Sequence, residues 1–237
     1  MLDTLLLIAL APILLWQGRR VRQRTLRLPE ATGARNGRLG QGQPLRVLLL
    51  GDSSAAGVGV SQQGSALAGQ LTKQLSTLYQ VSWQVLAESG ITLQQLQTKL
   101  DSLASEHAEY DCVVLAIGVN DVTAGTKDEV WLAQLQLLRE RLRNEFNVQH
   151  VFISAIPPMQ HFTALPWPLS DYLGRRARRL NTMTEQLAER LADLSFMPID
   201  LGVSPQMLAA DGFHPSEIAY TVWAEQVVGQ INSTLFS

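Results

Sequence analysis

Short apolar runs alternate with longer segments of helical periodicity along most of this chain. The first run, residues 45–50, ends at Gly51 and has the pattern of a central parallel strand that is buried on both faces. Five strands and five helices are predicted: strands at 45–50, 81–87, 112–117, 150–155 and 196–201, and helices near 64–79, 92–108, 127–145, 171–195 and 215–235. This alternation predicts an α/β fold with a doubly wound, five-stranded parallel sheet.

Short polar blocks follow the predicted strands. Three of them come directly after strands one, two and three: Gly51-Asp52-Ser53-Ser54, Gly90, and Gly118-Val119-Asn120-Asp121. A fourth block, Asp211-Gly212-Phe213-His214, lies between the fifth strand and the last helix. Ligands of open α/β sheets bind outside the carboxyl ends of the strands. We therefore expect the four blocks to converge at one edge of the sheet.

The four blocks together supply the parts of a serine hydrolase site. Ser53 is the predicted nucleophile, His214 the general base, and Asp211 the carboxylate that orients the imidazole. The spacing of three residues lets Asp211 reach Nδ1 of His214 while Nε2 faces Ser53. The backbone N–H groups of Ser53 and Gly90 and the carboxamide of Asn120 are the predicted oxyanion hole.

Each block taken alone has a simpler interpretation. Ser53 is in a position to cap a helix, Asp-Gly is common turn chemistry, and Gly90 and Asn120 also suit turns. Their occurrence in this order, each behind a strand, favours catalysis. Asp52 and Asp121 are predicted to support the site, Asp52 by bonding loop N–H groups and Asp121 by capping the next segment or holding Asn120.

The blocks resemble those of the SGNH (GDSL) hydrolase family, in its esterase, lysophospholipase and thioesterase-like branch. The family's named residues stand here as Ser53, Gly90, Asn120 and His214, and the resemblance spans roughly residues 45 to 220. It implies a three-layer α/β/α flavodoxin-like fold with strand order 2-1-3-4-5. It also implies hydrolysis of esters or thioesters without metal or cofactor. Ser54 stands where the family name indicates Leu, at a position that carries no chemistry.

Composition is that of one globular domain with a sizeable core. Of the 237 residues, 46% are hydrophobic and 17% are charged, and the formal net charge of −2 leaves no electrostatic footprint for nucleic acid. The single cysteine, Cys112, excludes an intramolecular disulfide, and its apolar neighbours indicate a buried position. His107, His150 and His161 lack an acid partner of the kind that Asp211 offers to His214, three residues earlier, and are interpreted as bystanders.

The first 44 residues differ in character from the rest. Residues 5–16 are nearly all apolar, and five arginines follow, at positions 19, 20, 22, 24 and 27. We interpret 1–27 as a membrane-anchor segment, 28–44 as a linker and 45–237 as the catalytic domain. Positive charge is missing before the apolar run, and Pro12 follows the candidate cleavage site Ala9-Leu10-Ala11, so an uncleaved anchor is favoured over a secretory signal.

Two arrangements at the membrane stay open. A spanning helix is favoured, but about 20 apolar residues are needed to cross a bilayer, so a shallow interfacial helix competes with it. A first helix of the globular domain is the weaker alternative, because a Gly- and Pro-containing segment follows. The arginines favour a catalytic domain on the cytoplasmic face of a bacterial inner membrane, with a periplasmic location left open.

The substrate is the least determined part. The segment 156–169 follows strand four and is rich in apolar side chains, of which Met159, Phe162, Leu165 and Trp167 are predicted to line an acyl pocket; packing on the core is the alternative. The favoured function is a serine esterase acting on carboxylic, thio- or lysophospholipid esters through an acyl-Ser53 intermediate. A deacetylase or acyl transferase on acylated polysaccharide is the first alternative, and a non-catalytic flavodoxin-like binding module is the second. Oligomeric state is not predicted.

Overall fold

The protein is described from a computed structural model that covers residues 2–104, 109–202 and 204–236. The described residues form six strands: β1 (Asn36–Leu39), β2 (Gln43–Gly51), β3 (Tyr79–Ala87), β4 (Cys112–Ala116), β5 (His150–Ser154) and β6 (Leu194–Met197). They form seven α-helices: α1 (Leu2–Arg24), α2 (Leu67–Leu75), α3 (Leu93–Ala104), α4 (Val119–Ala124), α5 (Asp128–Phe146), α6 (Leu169–Ala188) and α7 (Glu217–Leu235). Short 3₁₀ helices occupy Gln63–Ser65, Met159–His161 and Pro205–Met207.

The strands form one sheet in the order β1-β3-β2-β4-β5-β6. The five predicted strands are parallel and lie in the predicted order, with the first of them, β2, between β3 and β4. The sheet has six strands instead of the predicted five, because β1 pairs antiparallel with β3. All four residues of β1 are exposed, so the segment that was predicted as a linker carries no apolar pattern that marks a strand.

Two apolar cores cover the two faces of the sheet. Leu48 and Leu50 of β2 point into the core beneath α3, α5 and α6. Val47 and Leu49 point into the opposite core beneath α2 and α7. Full burial of side chains of this kind contributes about 1.5–3 kcal/mol each, which explains the apolar character of β2 on both faces. The three-layer α/β/α arrangement is therefore confirmed.

Helix α1 contacts the side of the domain that α6 covers. Leu14 and Val21 pack against the core beneath α6, and Gln17 is 8% exposed. The Gln17 carboxamide donates to the carbonyl oxygen of Trp167 at 2.8 Å and accepts the N–H of Leu169 at 3.2 Å. A helix that packs on the domain in this way is what the alternative interpretation, a first helix of the globular domain, describes. Among the described residues, no helix has the length and apolarity to cross a membrane.

Candidate active site

Ser53 lies two residues beyond β2, in a tight turn over 52–59. The turn is held by backbone bonds from Ala56 N–H to Asp52 O and from Val58 N–H to Ser53 O, both at 2.9 Å. Helix α2 begins only at Leu67, with Ala66 as its N-cap. The Ser53 hydroxyl therefore does not cap this helix and is free for other chemistry.

A continuous hydrogen-bond chain joins the three residues of the predicted triad. Nε2 of His214 lies 2.8 Å from Oγ of Ser53, and Nδ1 lies 2.6 Å from Oδ2 of Asp211. The other carboxylate oxygen, Oδ1, accepts the N–H groups of Phe213 and His214 at 3.0 Å each. The spacing of three residues thus closes a turn that fixes the carboxylate on the imidazole.

The Asp211 carboxylate is held in its ionised form. Its side chain is 1% exposed, and burial alone would raise its pKa. The hydrogen bonds from the His214 ring and from the N–H groups of His214 and Phe213 outweigh burial, so the net effect is a lowered pKa. A buried carboxylate in this position favours the imidazolium form of its partner histidine.

The predicted oxyanion donors differ in whether they already donate a hydrogen bond to an acceptor of the protein. Among the described residues, the N–H groups of Ser53 and Gly90 donate to no protein acceptor. Gly90 has a φ of +87°, a conformation that favours glycine, and lies in the turn after β3. The Asn120 carboxamide donates from Nδ2 to Oδ2 of Asp52 at 3.4 Å. One hydrogen of that amide group remains for a further acceptor.

Asp52 ties the Ser53 turn to Asn120. It is 1% exposed, and its Oδ1 accepts the N–H of Ser54 at 3.1 Å and the Ser54 hydroxyl at 2.8 Å. Burial raises the pKa of this carboxyl, while the hydrogen bonds from Ser54 oppose the rise. The predicted supporting role through loop N–H groups matches this geometry.

Asp121 joins the loop of Asn120 to the helix that follows Gly90. Its Oδ2 accepts the N–H of Leu93, the first residue of α3, at 3.0 Å, and its Oδ1 accepts the Thr126 hydroxyl at 3.1 Å. Burial is the main reason that its pKa rises to about 6. The carboxylate thereby links the two chain segments that carry the candidate oxyanion donors.

The segment interpreted as a linker supports the turn before Gly90, a contact that the sequence did not predict. Oε1 of Glu30 accepts the Ser89 N–H at 2.7 Å and the Ser89 hydroxyl at 2.8 Å, directly before Gly90. Arg35 donates to the carbonyl oxygen of Ala87 at 2.9 Å and pairs with Glu30. Polar residues in a Gly- and Arg-rich stretch carry no signal for such contacts.

A cavity of about 360 Å³ opens beside Ser53 and His214. Its wall is mainly apolar and includes Val119, Pro157, Phe162, Ile199, Leu201, Met207, Leu208, Phe213 and Trp223. Its wall also includes His161, which the sequence analysis interpreted as a bystander. His107 lies outside the described residues. Within those residues, no group of three or more His, Cys, Asp or Glu is arranged to hold a metal ion.

Only one of the four predicted pocket residues lies on the wall of this cavity. Phe162 does, whereas Met159 is 0% exposed and Leu165 is 9% exposed, and both belong to the core beneath α6. Trp167 is 78% exposed and contributes its carbonyl oxygen to Gln17. Met159 lies in the 3₁₀ turn Met159–His161 and Phe162 directly follows it, and the sequence pattern does not encode the direction that each side chain takes.

The fold and the Ser-His-Asp arrangement define a serine hydrolase of the α/β/α class. The family model of the GDSL-like lipase/acylhydrolase family matches residues 49–222, and the chain belongs to this family. It is therefore an ester-hydrolysing enzyme. A search of curated protein sequences finds no match.

Solved structures share the fold at low sequence identity. The lipase Lip_vut3 from a goat rumen metagenome is 17% identical with a TM-score of 0.62, over 78% of this chain and 96% of that one. A catalytic mutant of the acetylxylan esterase Axe2 from Geobacillus stearothermophilus is also 17% identical with a TM-score of 0.62, over 81% and 96%. TesA is 22% identical with a TM-score of 0.64, over 80% and 99%.

Proposed function

We propose that this enzyme hydrolyses carboxylic esters of lipid-like acyl groups through a covalent acyl-Ser53 intermediate. The observation that carries the proposal is the coincidence of two features at one point. The Ser53, His214 and Asp211 side chains are hydrogen-bonded in series, and the mainly apolar cavity begins at Ser53. The first feature supplies an activated nucleophile, and the second supplies a site for an acyl chain.

Acylation begins when Oγ of Ser53 attacks the ester carbonyl carbon and its proton passes to Nε2 of His214. The carbonyl oxygen becomes negatively charged and accepts hydrogen bonds from the N–H groups of Ser53 and Gly90 and from the Asn120 carboxamide. Collapse of this intermediate breaks the bond to the alcohol oxygen, which takes the proton from Nε2. Throughout, the Asp211 carboxylate accepts a hydrogen bond from Nδ1–H of His214 and stabilises the imidazolium.

Deacylation repeats the sequence with water. His214 takes a proton from the water, the hydroxide attacks the acyl-Ser53 carbonyl, and the same donors bind the oxyanion. The Ser53 oxygen leaves with the proton from Nε2, and the carboxylic acid is released. Thioesters and lysophospholipid esters present the same carbonyl chemistry to this site.

The cavity supports an acyl substrate in preference to an acetylated polysaccharide. Its wall presents Phe162, Leu201 and Phe213, which suit a hydrocarbon chain better than a sugar ring that requires many hydrogen bonds. Deacetylation of a polysaccharide is the competing hypothesis, and an acetylxylan esterase shares the fold. The two differ in the acyl length that they favour.

We also infer that the enzyme meets its substrate at a membrane through its N-terminal segment. The apolar run 5–16 and the arginines after it support this association. The cytoplasmic leaflet is anionic, and positively charged segments are retained on that side, so we propose the cytoplasmic face of a bacterial inner membrane as the location.

The direct test is hydrolysis of p-nitrophenyl esters from acetyl to palmitoyl by the full chain and two serine variants. We expect a maximum at medium or long chains, and Ser53→Ala to lower turnover by about 10⁴-fold or more. Ser54→Ala is the matched control: it removes a neighbouring hydroxyl and its bond to Asp52 but keeps the Ser54 N–H bond, so we expect a much smaller loss of turnover than for Ser53→Ala. Turnover of acetyl esters alone would favour the polysaccharide hypothesis, and ester turnover that survives Ser53→Ala would refute the mechanism.

A further inference from the structure

We propose that α1 is a docking helix for anionic lipid bilayers, which inserts its apolar N-terminal half into one leaflet and keeps its arginine-bearing half at the headgroups. The proposal rests on the proposed function in one respect: docking of this kind brings an ester of a lipid-like acyl group to Ser53.

Large apolar side chains are exposed in the middle of α1. Ile13, Leu15 and Trp16 have exposures of 47%, 64% and 57%. The side that meets the domain is formed by Leu14, Gln17 and Val21, so the three exposed side chains have no place in the core. Single exposed apolar residues are ordinary, but three within four successive positions mark an interaction surface.

The charge of the same helix selects an anionic partner. Five arginines occur between positions 19 and 27, and positions 4–29 contain no Asp or Glu. In the described part of the chain, none of the five has an ion-pair partner, whereas Arg175 and Arg179 of α6 pair with Asp171 and Asp128. Such unneutralised clusters beside an apolar helix face are attracted to anionic lipid surfaces.

Trp16 lies at the junction of the two halves. The Arg20 guanidinium sits 5.0 Å from the centroid of the Trp16 ring, which keeps the cation over an apolar surface. Tryptophan and arginine both favour the headgroup region of a bilayer, where a ring and a charge are accommodated together. The level of Trp16 therefore marks the expected interface.

The length of the apolar half sets the depth of insertion. Residues 5–16 number twelve, and at 1.5 Å per residue they extend about 18 Å. The hydrocarbon core of a bilayer is about 30 Å thick, so this half reaches through one leaflet, which is about 15 Å. The helix therefore suits oblique insertion from one side.

The docked helix also lies beside the catalytic loops. Gln17 holds it to the Trp167–Leu169 backbone at the junction of its two halves. A groove of about 610 Å³ runs between α1 and the loops that contain Thr163 and Asp211. Thr163 also lines the cavity at Ser53, so the lipid-facing helix and the active cavity share one loop.

The test is co-sedimentation of the full chain with vesicles of phosphatidylcholine and with vesicles of equimolar phosphatidylcholine and phosphatidylglycerol. Binding is expected to the anionic vesicles and to weaken with added salt. Replacing both Arg20→Gln and Arg24→Gln is expected to weaken binding about 25-fold. The matched control replaces Arg143→Gln and Arg178→Gln, two exposed arginines on α5 and α6 that form no ion pair with any described residue.

A second pair of variants tests the apolar half. Trp16→Ser with Ile13→Ser is expected to lower binding to both vesicle types, and Leu78→Ser, at a 59% exposed leucine elsewhere, is the control. Equal binding to both vesicle types, or equal binding by parent and α1 variants, would overturn the proposal. Hydrolysis of a soluble ester is measured in parallel: if it persists in the parent without vesicle binding, the docking proposal fails while the esterase proposal stands.

Discussion

Asn120 has two amide hydrogens, and within the described part of the chain only one of them has an acceptor. Nδ2 donates to Asp52 at 3.4 Å, which aims the carboxamide and leaves the second hydrogen for an oxyanion. The neutral amide keeps this donor at every pH. Asp52 therefore acts on the reaction through Asn120 and through the Ser54 hydrogen bonds, without touching substrate.

We predict that Asn120→Ala lowers kcat by about 10²–10³-fold with a small change in KM, because an oxyanion donor acts mainly in the transition state. Asp52→Asn is expected to cost less, since its side-chain oxygen still accepts from Asn120. Steady-state kinetics on a soluble p-nitrophenyl ester measure both. A kcat for Asn120→Ala within tenfold of the parent would remove this residue from the oxyanion hole.

At the scale of elements, Asp121 connects α3 with α4. Burial is the main reason that its pKa rises from 3.8 to about 6 in the folded chain. Between these values the folded state binds more protons than the unfolded state, so the free energy of unfolding falls as the pH rises from about 4 to 6. Above pH 6 the buried, ionised Asp121 carboxylate therefore lowers the free energy of unfolding, although its hydrogen bonds hold the two loops together.

Asp121→Asn removes this titration, and we predict that the parent loses stability relative to the variant as the pH rises through this window. The relative change is at most about 3 kcal/mol. Urea unfolding of both proteins at about pH 4 and pH 7 measures it. A difference between the two proteins that is the same at both pH values would contradict the assignment.

Gly51 sets how closely β2 approaches β4 at the catalytic edge. A Cβ at this position would lie 2.0 Å from the carbonyl oxygen of Ala116 and 2.8 Å from Cβ of Ala55. The Ala116 contact is with backbone, which cannot move away without disturbing β4. We predict that Gly51→Ala lowers the free energy of unfolding by about 1–3 kcal/mol.

Gly229→Ala is the matched control for this prediction. Gly229 lies on an exposed position of α7, and a Cβ there would meet no atom within 4 Å. Alanine at this site is expected to raise stability by up to about 1 kcal/mol through helix propensity. Urea denaturation compares the two, and a Gly51→Ala protein as stable as the parent would show that the close approach is not required.

The elements that the sequence did not predict share a physical cause. β1 is exposed at all four residues, and α4 is only six residues long, so neither offers a full period of buried positions. Both are held by tertiary contacts. β1 pairs with β3, and α4 follows the close packing of Gly118 against Ile156.

For the whole molecule, parallel topology explains why the site was predictable. The apolar runs identified five strands, and their carboxyl ends bring Ser53, Gly90 and Asn120 to one edge. The direction of individual side chains was less predictable. Met159 is buried within a 3₁₀ turn and Trp167 is 78% exposed, and neither direction follows from a periodic pattern.

The N-terminal segment shows a second limit at this scale. Its apolar and basic residues indicated a membrane anchor, but its contact with the domain includes hydrogen bonds of Gln17, a polar residue 150 positions before its partner Trp167. The Glu30 contact to Ser89 spans 59 positions. Single polar contacts between residues so far apart in sequence cannot be predicted from a local pattern, although they position α1 and the Gly90 turn.

The most direct test of the account is covalent labelling with a fluorophosphonate, followed by sequencing of the labelled peptide by mass spectrometry. We predict one adduct on Ser53, retained in Ser54→Ala and lost in both Ser53→Ala and His214→Ala. Sequencing is required because Ser53 and Ser54 are adjacent. An adduct on Ser54 or another serine, or ester turnover by a protein that never labels at Ser53, would contradict the acyl-enzyme mechanism.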